Sequence, residues 1–95
     1  MFDDLIKDKA VKILVVEDEA IIAHNLIGEL KNIGFSPMGF VDTGEKAIME
    51  IGENRPDLVI LDISIKGKID GIETAEIIKS RYGIPCIFYS GCEDP

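Results

Sequence analysis

The chain has 95 residues, of which 46% are hydrophobic and 6% aromatic, which suits one small domain with an aliphatic core. Its formal charge is −8 at pH 7, from 18 acidic residues against 10 lysines and arginines. That charge argues against nucleic acid and anionic membranes as main partners, because binding their phosphates requires a basic face.

The sequence contains no targeting or membrane signal. Residues 1–10 are predicted to be a short leader, too acidic and too short in apolar residues for a signal peptide, before a domain that spans 11–95. No apolar stretch approaches the roughly 20 residues that a membrane span requires. Cys86 is expected to be a small core residue and Cys92 a loop thiol. We therefore expect a cytoplasmic protein.

The predicted elements alternate between strand and helix. The first strand is the apolar run Val11–Val16, and a helix follows over Ala20–Ile33 with Gly34 as its C-terminal cap. The residues of this helix that are predicted to face inward are Ile22, Leu26, Leu30 and Ile33. The second strand, Phe35–Val41, contains Pro37. Because proline cannot donate a ladder hydrogen bond, this strand belongs at the edge of a sheet.

Capping signals mark the two later helices. Thr43 is predicted to begin a second helix that ends before Pro56, and its apolar residues are Ala47, Ile48 and Ile51. The third strand is the run Leu58–Leu61. Asp70 and Glu73 resemble a capping box for a third helix. Its predicted inward residues are Ile72, Ala75 and Ile78, and the residues that mark its end are Lys79, Arg81 and Gly83.

The last apolar run, Ile84–Tyr89, completes a βαβαβαβ order. The runs are short, β-branched and almost unbroken, which is typical of parallel strands covered on both faces. Right-handed crossovers then give an α/β fold with a doubly wound parallel sheet. With the second strand at the edge, the predicted strand order is 2-1-3-4, so the first and third strands are neighbours.

Acidic residues follow the strands that are predicted to be neighbours. Glu17 and Asp18 follow the first strand, Asp62 ends the third, and Ser90 and then Gly91 follow the fourth. Ligands of doubly wound sheets bind outside the carboxyl ends of the strands, where the strand order reverses. One acid at a strand end is often only a solvated residue or a helix cap. The combination of three acids and a hydroxyl is what indicates a site.

This group of side chains favours a magnesium site that supports phosphoryl transfer. Crowded carboxylates resist ionisation unless a cation compensates, and an all-oxygen set without His or Cys suits Mg²⁺. We expect Asp18 and Asp62 to hold the ion, with Glu17 acting through water. Asp62 ends the most buried strand and is therefore rigid enough to act as a nucleophile. Ser90 can hydrogen-bond a transferred phosphoryl oxygen.

Four motifs closely resemble the receiver domain of two-component response regulators, which has a flavodoxin-like fold. They are Ile13-Leu-Val-Val-Glu-Asp-Glu19, Pro56-Asp-Leu-Val-Ile-Leu-Asp62, Asp70-Gly-Ile-Glu73 and Ile84-Pro-Cys-Ile-Phe-Tyr-Ser-Gly91. The resemblance runs from about Val11 to Gly91. It implies a signalling module whose only chemical activities are its own phosphorylation and dephosphorylation, and not an enzyme for separate substrates.

The resemblance also implies roles for individual residues. Asp62 would be the phosphoacceptor, Glu17 and Asp18 the acidic metal pocket, and Ser90 the switch hydroxyl. The protein ligands of Mg²⁺ would be Asp18, Asp62 and the backbone carbonyl of Ser64. The implied partners are a sensor histidine kinase, which donates the phosphoryl group from a phosphohistidine, and an output domain or a downstream effector protein. No nucleic acid or membrane partner is expected of this domain.

Two features depart from the family pattern. The loop Ile63–Ile69 is one residue longer than usual and lacks a proline, and its Lys66 and Lys68 are expected to be solvated. The family's fifth strand, with its lysine, and its last two helices have no counterpart in the sequence. We expect a domain that is incomplete at its C-terminus, with the fourth strand as an open edge and either poor stability or a homodimer that covers this edge.

Two further residues have ordinary structural interpretations, and two other functions are compatible with the fold. His24 is expected to be an exposed helical residue, and Tyr89 to pack beside the sheet. One alternative function is a degenerate receiver that binds partners without being phosphorylated, which the presence of all three acids disfavours. The other is a Mg²⁺-dependent phosphohydrolase. Such an enzyme typically has a second acid two residues after the nucleophile, where this chain has Ser64.

Overall fold

Four strands and three helices alternate along residues 10–90, the part of the chain that the computed structural model describes. The predicted leader, except for Ala10, lies outside this part, as do Gly91 and Cys92. The elements are β1 Lys12–Val16, α1 Ala20–Ile33, β2 Ser36–Val41, α2 Gly44–Glu53, β3 Leu58–Asp62, α3 Gly71–Tyr82 and β4 Cys86–Tyr89. The predicted order of elements is confirmed, and the strand ends differ from prediction by at most two residues.

All four strands are parallel, and the order across the sheet is β2-β1-β3-β4. The predicted order 2-1-3-4 is therefore confirmed. The chain moves from β1 to one side of the sheet to form β2, and then crosses to the other side of β1 to form β3. The strand order thus reverses between β1 and β3, which is where doubly wound sheets bind their ligands.

The central strands are apolar on both faces because helices cover both. On one face, Ile13 and Val15 of β1 pack with Ala23 and Leu30 of α1. On the other face lies a second core cluster, whose members include Leu14, Val16, Ala47, Ile51, Val59, Leu61 and Ile78. A fully buried aliphatic side chain contributes roughly 1.5–3 kcal/mol relative to an exposed one. These two clusters hold β1 and β3 rigidly side by side.

The two edges of the sheet differ in how they are protected. At the β2 edge, the pairing with β1 shifts register between Ile13 and Leu14, so Pro37 sits beside a bulge. Pro37 thus occupies the edge strand that its missing N–H predicted. At the other edge, Ile87 and Phe88 of β4 are 51% and 41% exposed, which leaves apolar surface open to solvent.

The helix ends follow the predicted capping signals. Gly34 adopts a left-handed conformation, with φ of 114°, and its N–H donates to the carbonyls of the last turn of α1. Thr43 accepts a hydrogen bond from the Lys46 N–H, and Asp70 and Glu73 form a complete capping box at the start of α3. These caps satisfy backbone groups that the helices themselves leave unpaired.

Two residues predicted to face inward are exposed. Ile33, the last residue of α1, is 70% exposed. Ile72 is 49% exposed, and Thr74 is buried in its place. The Thr74 hydroxyl donates to the Asp70 carbonyl over 2.7 Å, which satisfies the polar group inside the core.

Other individual predictions agree with the structure. His24 is exposed on α1, where its ring meets the edge of Phe40 at a centroid distance of 5.3 Å. Cys86 is half-buried and packs against the core, and Lys66 and Lys68 are exposed. None of the helices within residues 10–90 is long and apolar enough to cross a membrane.

Gly71 allows α3 to begin directly against the end of β3. A Cβ at this position would lie 2.9 Å from the Asp62 carbonyl oxygen and 2.8 Å from that of Ile63. Both neighbours are backbone atoms, so neither can rotate out of the way. The absence of a side chain here therefore allows the turn after β3 to lie close to α3.

Gly71→Ala is expected to lower the free energy of unfolding by roughly 1–3 kcal/mol, the usual cost of overpacking. Gly28→Ala is the matched control, because Gly28 lies inside α1 with no atom within 4 Å of its added Cβ. It should raise stability by roughly 0.4–1 kcal/mol through helix propensity. Urea unfolding of both variants tests this, and equal effects would contradict the assigned role of Gly71.

Candidate functional site

The pairing of β1 with β3 brings three carboxylates together. Val16 pairs with Leu61, so Glu17 and Asp62 follow at the same level of the sheet. Carboxylate oxygens of Glu17, Asp18 and Asp62 all lie within 4.8 Å of one another. The convergence predicted from the strand ends is therefore present in the structure.

Asp62 is the rigid member of this acidic pocket, as we name the group Glu17, Asp18 and Asp62. It ends β3 and is 5% exposed. Its Oδ1 accepts two hydrogen bonds of 3.0 Å, one from the Ser64 N–H and one from the Ser64 hydroxyl. These two hydrogen bonds orient the carboxylate through Oδ1, and Oδ2 accepts neither of them.

Ser64 therefore contacts Asp62 in a way that its sequence position did not predict. The sequence suggested its backbone carbonyl as a metal ligand, and that role remains a prediction. The loop that carries it is tied to α2, because the Lys68 N–H donates to Glu45 over 2.8 Å. The loop also turns at Gly67, whose φ of 135° suits glycine. The path of the loop after Ser64 is thus set by the turn at Gly67 and the hydrogen bond of Lys68 to α2.

Glu17 is fully buried, at 0% exposure, and each of its oxygens accepts a hydrogen bond. The Glu19 N–H donates to Oε2 over 2.9 Å, and the Tyr89 hydroxyl donates to Oε1. Burial raises the pKa of Glu17 above its ordinary value of 4.5, and the neighbouring carboxyl groups of Asp18 and Asp62 raise it further. The two hydrogen bonds oppose this rise because they stabilise the ionised form.

Tyr89 is the site residue that sequence reasoning missed. It was expected only to pack beside the sheet, yet its hydroxyl reaches Glu17 across β3. It pairs with Asp62 in the β3–β4 register. Burial, followed by the Glu17 hydrogen bond and the surrounding negative charges, raises the pKa of the phenol. The available signal was a phenol at the end of a strand, beside three acids.

Asp18 and Ser90 lie on the exposed side of the site. Asp18 is exposed in the turn between β1 and α1. Ser90 is exposed directly after β4, and with Tyr89 it lines a groove of about 280 Å³ against α1. The site therefore combines two buried carboxylates with one carboxylate and one hydroxyl that solvent reaches.

The donor set of the acidic pocket fits a hard cation. It consists of carboxylate oxygens, without a His or Cys, and the pKa of Glu17 is raised mainly by burial, with Asp18 and Asp62 adding to the rise. Mg²⁺ takes oxygen ligands and is commonly bound through one or two carboxylates while it keeps several waters. The residues present are therefore compatible with Mg²⁺, and Asp18 leaves a route from solvent.

Comparison with known proteins places the chain in a family. A model described as the response regulator receiver domain matches residues 13–95. The chain belongs to this family. DNA-binding response regulator MtrA of Mycobacterium tuberculosis (strain ATCC 25618 / H37Rv) is 32% identical over 83 residues, which cover 87% of this chain and 36% of MtrA. The receiver domain described here thus spans about a third of that relative.

Other relatives agree on the family and on the fold. The nitrogen assimilation regulatory protein NtrX of Azorhizobium caulinodans is 37% identical over 81 residues, which cover 83% of this chain and 18% of NtrX. The signal receiver domain of modulated diguanylate cyclase from Desulfovibrio desulfuricans G20 superimposes with a TM-score of 0.82 at 32% identity. That alignment covers 90% of this chain and 68% of the solved one. The predicted flavodoxin-like receiver fold is therefore confirmed.

The raised pKa of Glu17 predicts how the stability of the metal-free domain changes with pH. Between 4.5 and the raised pKa, the folded chain binds more protons than the unfolded chain. Stability therefore falls as pH rises through this window, and the penalty is absent below it. In Glu17→Gln this contribution is missing, so the variant should gain stability relative to wild type as pH rises, by at most about 1.4 kcal/mol per pH unit.

Urea unfolding in EDTA between about pH 4 and pH 7 measures this difference directly. Glu53→Gln is the matched control, since Glu53 is an exposed carboxylate at the end of α2, outside the acidic pocket. A difference between Glu17→Gln and wild type that stays constant with pH would show that Glu17 titrates alike in the folded and unfolded chains.

Proposed function

We propose that this receiver domain accepts a phosphoryl group on Asp62 from a phosphohistidine of a sensor histidine kinase, in a Mg²⁺-dependent reaction. The observation that carries the proposal is the placement of Asp62. It is buried at the end of β3, oriented by Ser64, and within 4.8 Å of Glu17 and Asp18 oxygens. A fixed nucleophile beside a cation-binding pocket meets the main demands of phosphoryl transfer, which are positioning and charge neutralisation.

The transfer is balanced without any further reactant. An ionised Asp62 oxygen attacks the phosphorus, a P–O bond forms, and the P–N bond to the donor imidazole breaks. The electron pair of that bond stays on the imidazole, which takes a proton from solvent. Later a water oxygen attacks the same phosphorus, the P–O bond to Asp62 breaks, and inorganic phosphate leaves. The domain therefore modifies and restores itself and turns over no separate substrate.

Each residue of the site has a part in this proposal. Mg²⁺ held by Asp18, Asp62 and the Ser64 carbonyl would neutralise charge on the phosphoryl oxygens. Ser64 orients Asp62 through the hydrogen bonds to Oδ1, which leaves Oδ2 as the proposed attacking oxygen. Ser90, exposed beside the site, would hydrogen-bond a phosphoryl oxygen after transfer.

In the cytoplasm, the signal would pass from the sensor histidine kinase through this domain to an output domain or a downstream effector protein. The family match supports that order, since response regulator receivers generally work between kinases and outputs. The phosphohydrolase alternative is less well supported. The residue two positions after Asp62 is Ser64, whose N–H and hydroxyl are both engaged with the nucleophile.

Asp62→Asn is expected to abolish phosphoryl uptake. Wild type incubated with Mg²⁺ and acetyl phosphate should gain the mass of one phosphoryl group, and it should bind beryllofluoride, whereas the variant should do neither. EDTA should abolish both in wild type. Asp42→Asn is the matched control, because Asp42 follows β2 at the same end of the sheet but pairs with Lys46 over 3.0 Å. It should be modified like wild type.

The same experiment separates the competing functions. A wild-type chain that is folded and binds Mg²⁺, but gains no mass, would indicate a degenerate receiver. Release of many phosphate molecules per protein from a phosphoester would indicate a phosphohydrolase. Equal modification of Asp62→Asn and wild type would place the acceptor elsewhere.

A further inference from the structure

Tyr89 ties the ends of three strands together at the acidic pocket. Its backbone carbonyl accepts from the Ile63 N–H over 3.1 Å, and the strand register pairs it with Asp62. Its hydroxyl then crosses β3 to bond Glu17, which follows β1 and lies 72 positions away in the chain. The strand pairing therefore fixes where the phenol points.

The hydrogen bond of Tyr89 determines how Glu17 can meet a cation. With Oε1 bonded to Tyr89 and Oε2 bonded to the Glu19 N–H, both oxygens of this buried carboxylate are engaged. A carboxylate held in this way still has lone pairs that accept hydrogen bonds from a water. It cannot turn to ligate a cation directly without breaking one of its two bonds.

We propose that Tyr89 is a positioning residue that makes the acidic pocket selective for Mg²⁺ over Ca²⁺. The inference rests on the proposed function, since it assigns a further residue to the same metal site. Mg²⁺ keeps several waters and needs few protein ligands, whereas Ca²⁺ takes six to eight oxygens and favours bidentate carboxylates. By keeping Glu17 at the distance of a bridging water, Tyr89 leaves too few direct ligands for Ca²⁺.

The test is the ratio of the Ca²⁺ and Mg²⁺ dissociation constants, measured by calorimetry on the 95-residue chain. Tyr89→Phe keeps the ring and removes only the hydroxyl, which frees Glu17 to become a direct ligand. The ratio should move toward Ca²⁺ by roughly tenfold, a change comparable to the loss of one hydrogen bond to a charged group. If Tyr89 has a purely structural role, its substitution should weaken the binding of Ca²⁺ and of Mg²⁺ by the same factor. That result would overturn the proposal.

Tyr82→Phe is the matched control, because it removes the chain's other tyrosine hydroxyl far from the pocket. Tyr82 ends α3, and the Arg55 guanidinium carbon lies over its ring, 5.5 Å from the ring centroid. This variant should keep the wild-type ratio of dissociation constants. If Tyr82→Phe shifted the ratio of dissociation constants as much as Tyr89→Phe does, that result would also overturn the proposal.

Tyrosine fluorescence provides a second measurement that does not depend on how well Tyr89→Phe folds. The chain has two tyrosines and no tryptophan, so in Tyr82→Phe only Tyr89 is excited at wavelengths too long for phenylalanine to absorb. Emission of this variant should change as MgCl₂ is added, because the cation alters the carboxylate that the phenol bonds. Unchanged emission on saturation with Mg²⁺ would contradict the assigned contact.

The outcomes separate this inference from the proposed function. Binding is measured without any phosphoryl donor, and phosphorylation of Asp62 is measured independently. Mg²⁺-dependent phosphorylation together with an unchanged ion ratio in Tyr89→Phe would overturn the inference and leave the proposed function standing. A wild-type chain that binds no divalent cation would overturn both.

Discussion

The parallel pairing of β1 with β3 is the constraint on which both the core and the site depend. Parallel strands of this kind are stable only when both faces are covered, which requires the unbroken apolar runs that the two helix layers bury. The same register makes the two strands end together. Polar residues that follow them, Glu17 and Asp62, are therefore brought together by the packing of apolar residues that precede them.

Collecting acids at a buried strand end has a cost that the surrounding contacts partly offset. Desolvation raises the pKa of Glu17, and ionised neighbours add to the effect. The Glu19 N–H and the Tyr89 hydroxyl stabilise its charged form, and the two Ser64 donors hydrogen-bond the neighbouring Asp62. The remaining negative charge is what would attract a cation. The pocket thus trades stability of the cation-free fold for affinity.

Local chemistry in the sequence was sufficient to predict the elements and the order of the strands, whereas individual side-chain hydrogen bonds between distant residues were not predicted. The span of α1 and its Gly34 cap, the Asp70–Glu73 capping box and the edge position of β2 follow from backbone requirements of the residues themselves. The Tyr89–Glu17 bond joins distant parts of the chain, and its one signal in the sequence was a phenol at the end of a strand that neighbours the acids. Ile72 was misplaced because hydrophobicity alone ignores the hydrogen bond that lets Thr74 be buried.

Asp62 is restrained by its strand and by Ser64, whereas its exposed neighbours are not packed in this way. Strand β3 holds its backbone and Ser64 holds its carboxylate, and the missing side chain of Gly71 lets α3 begin directly against the turn that follows. Asp18 and Ser90 instead lie exposed at strand ends. Phosphoryl transfer needs a nucleophile that does not move, and a response to it needs groups that do. The sheet separates these requirements by burying one carboxylate among its strand ends and leaving the hydroxyl at the surface.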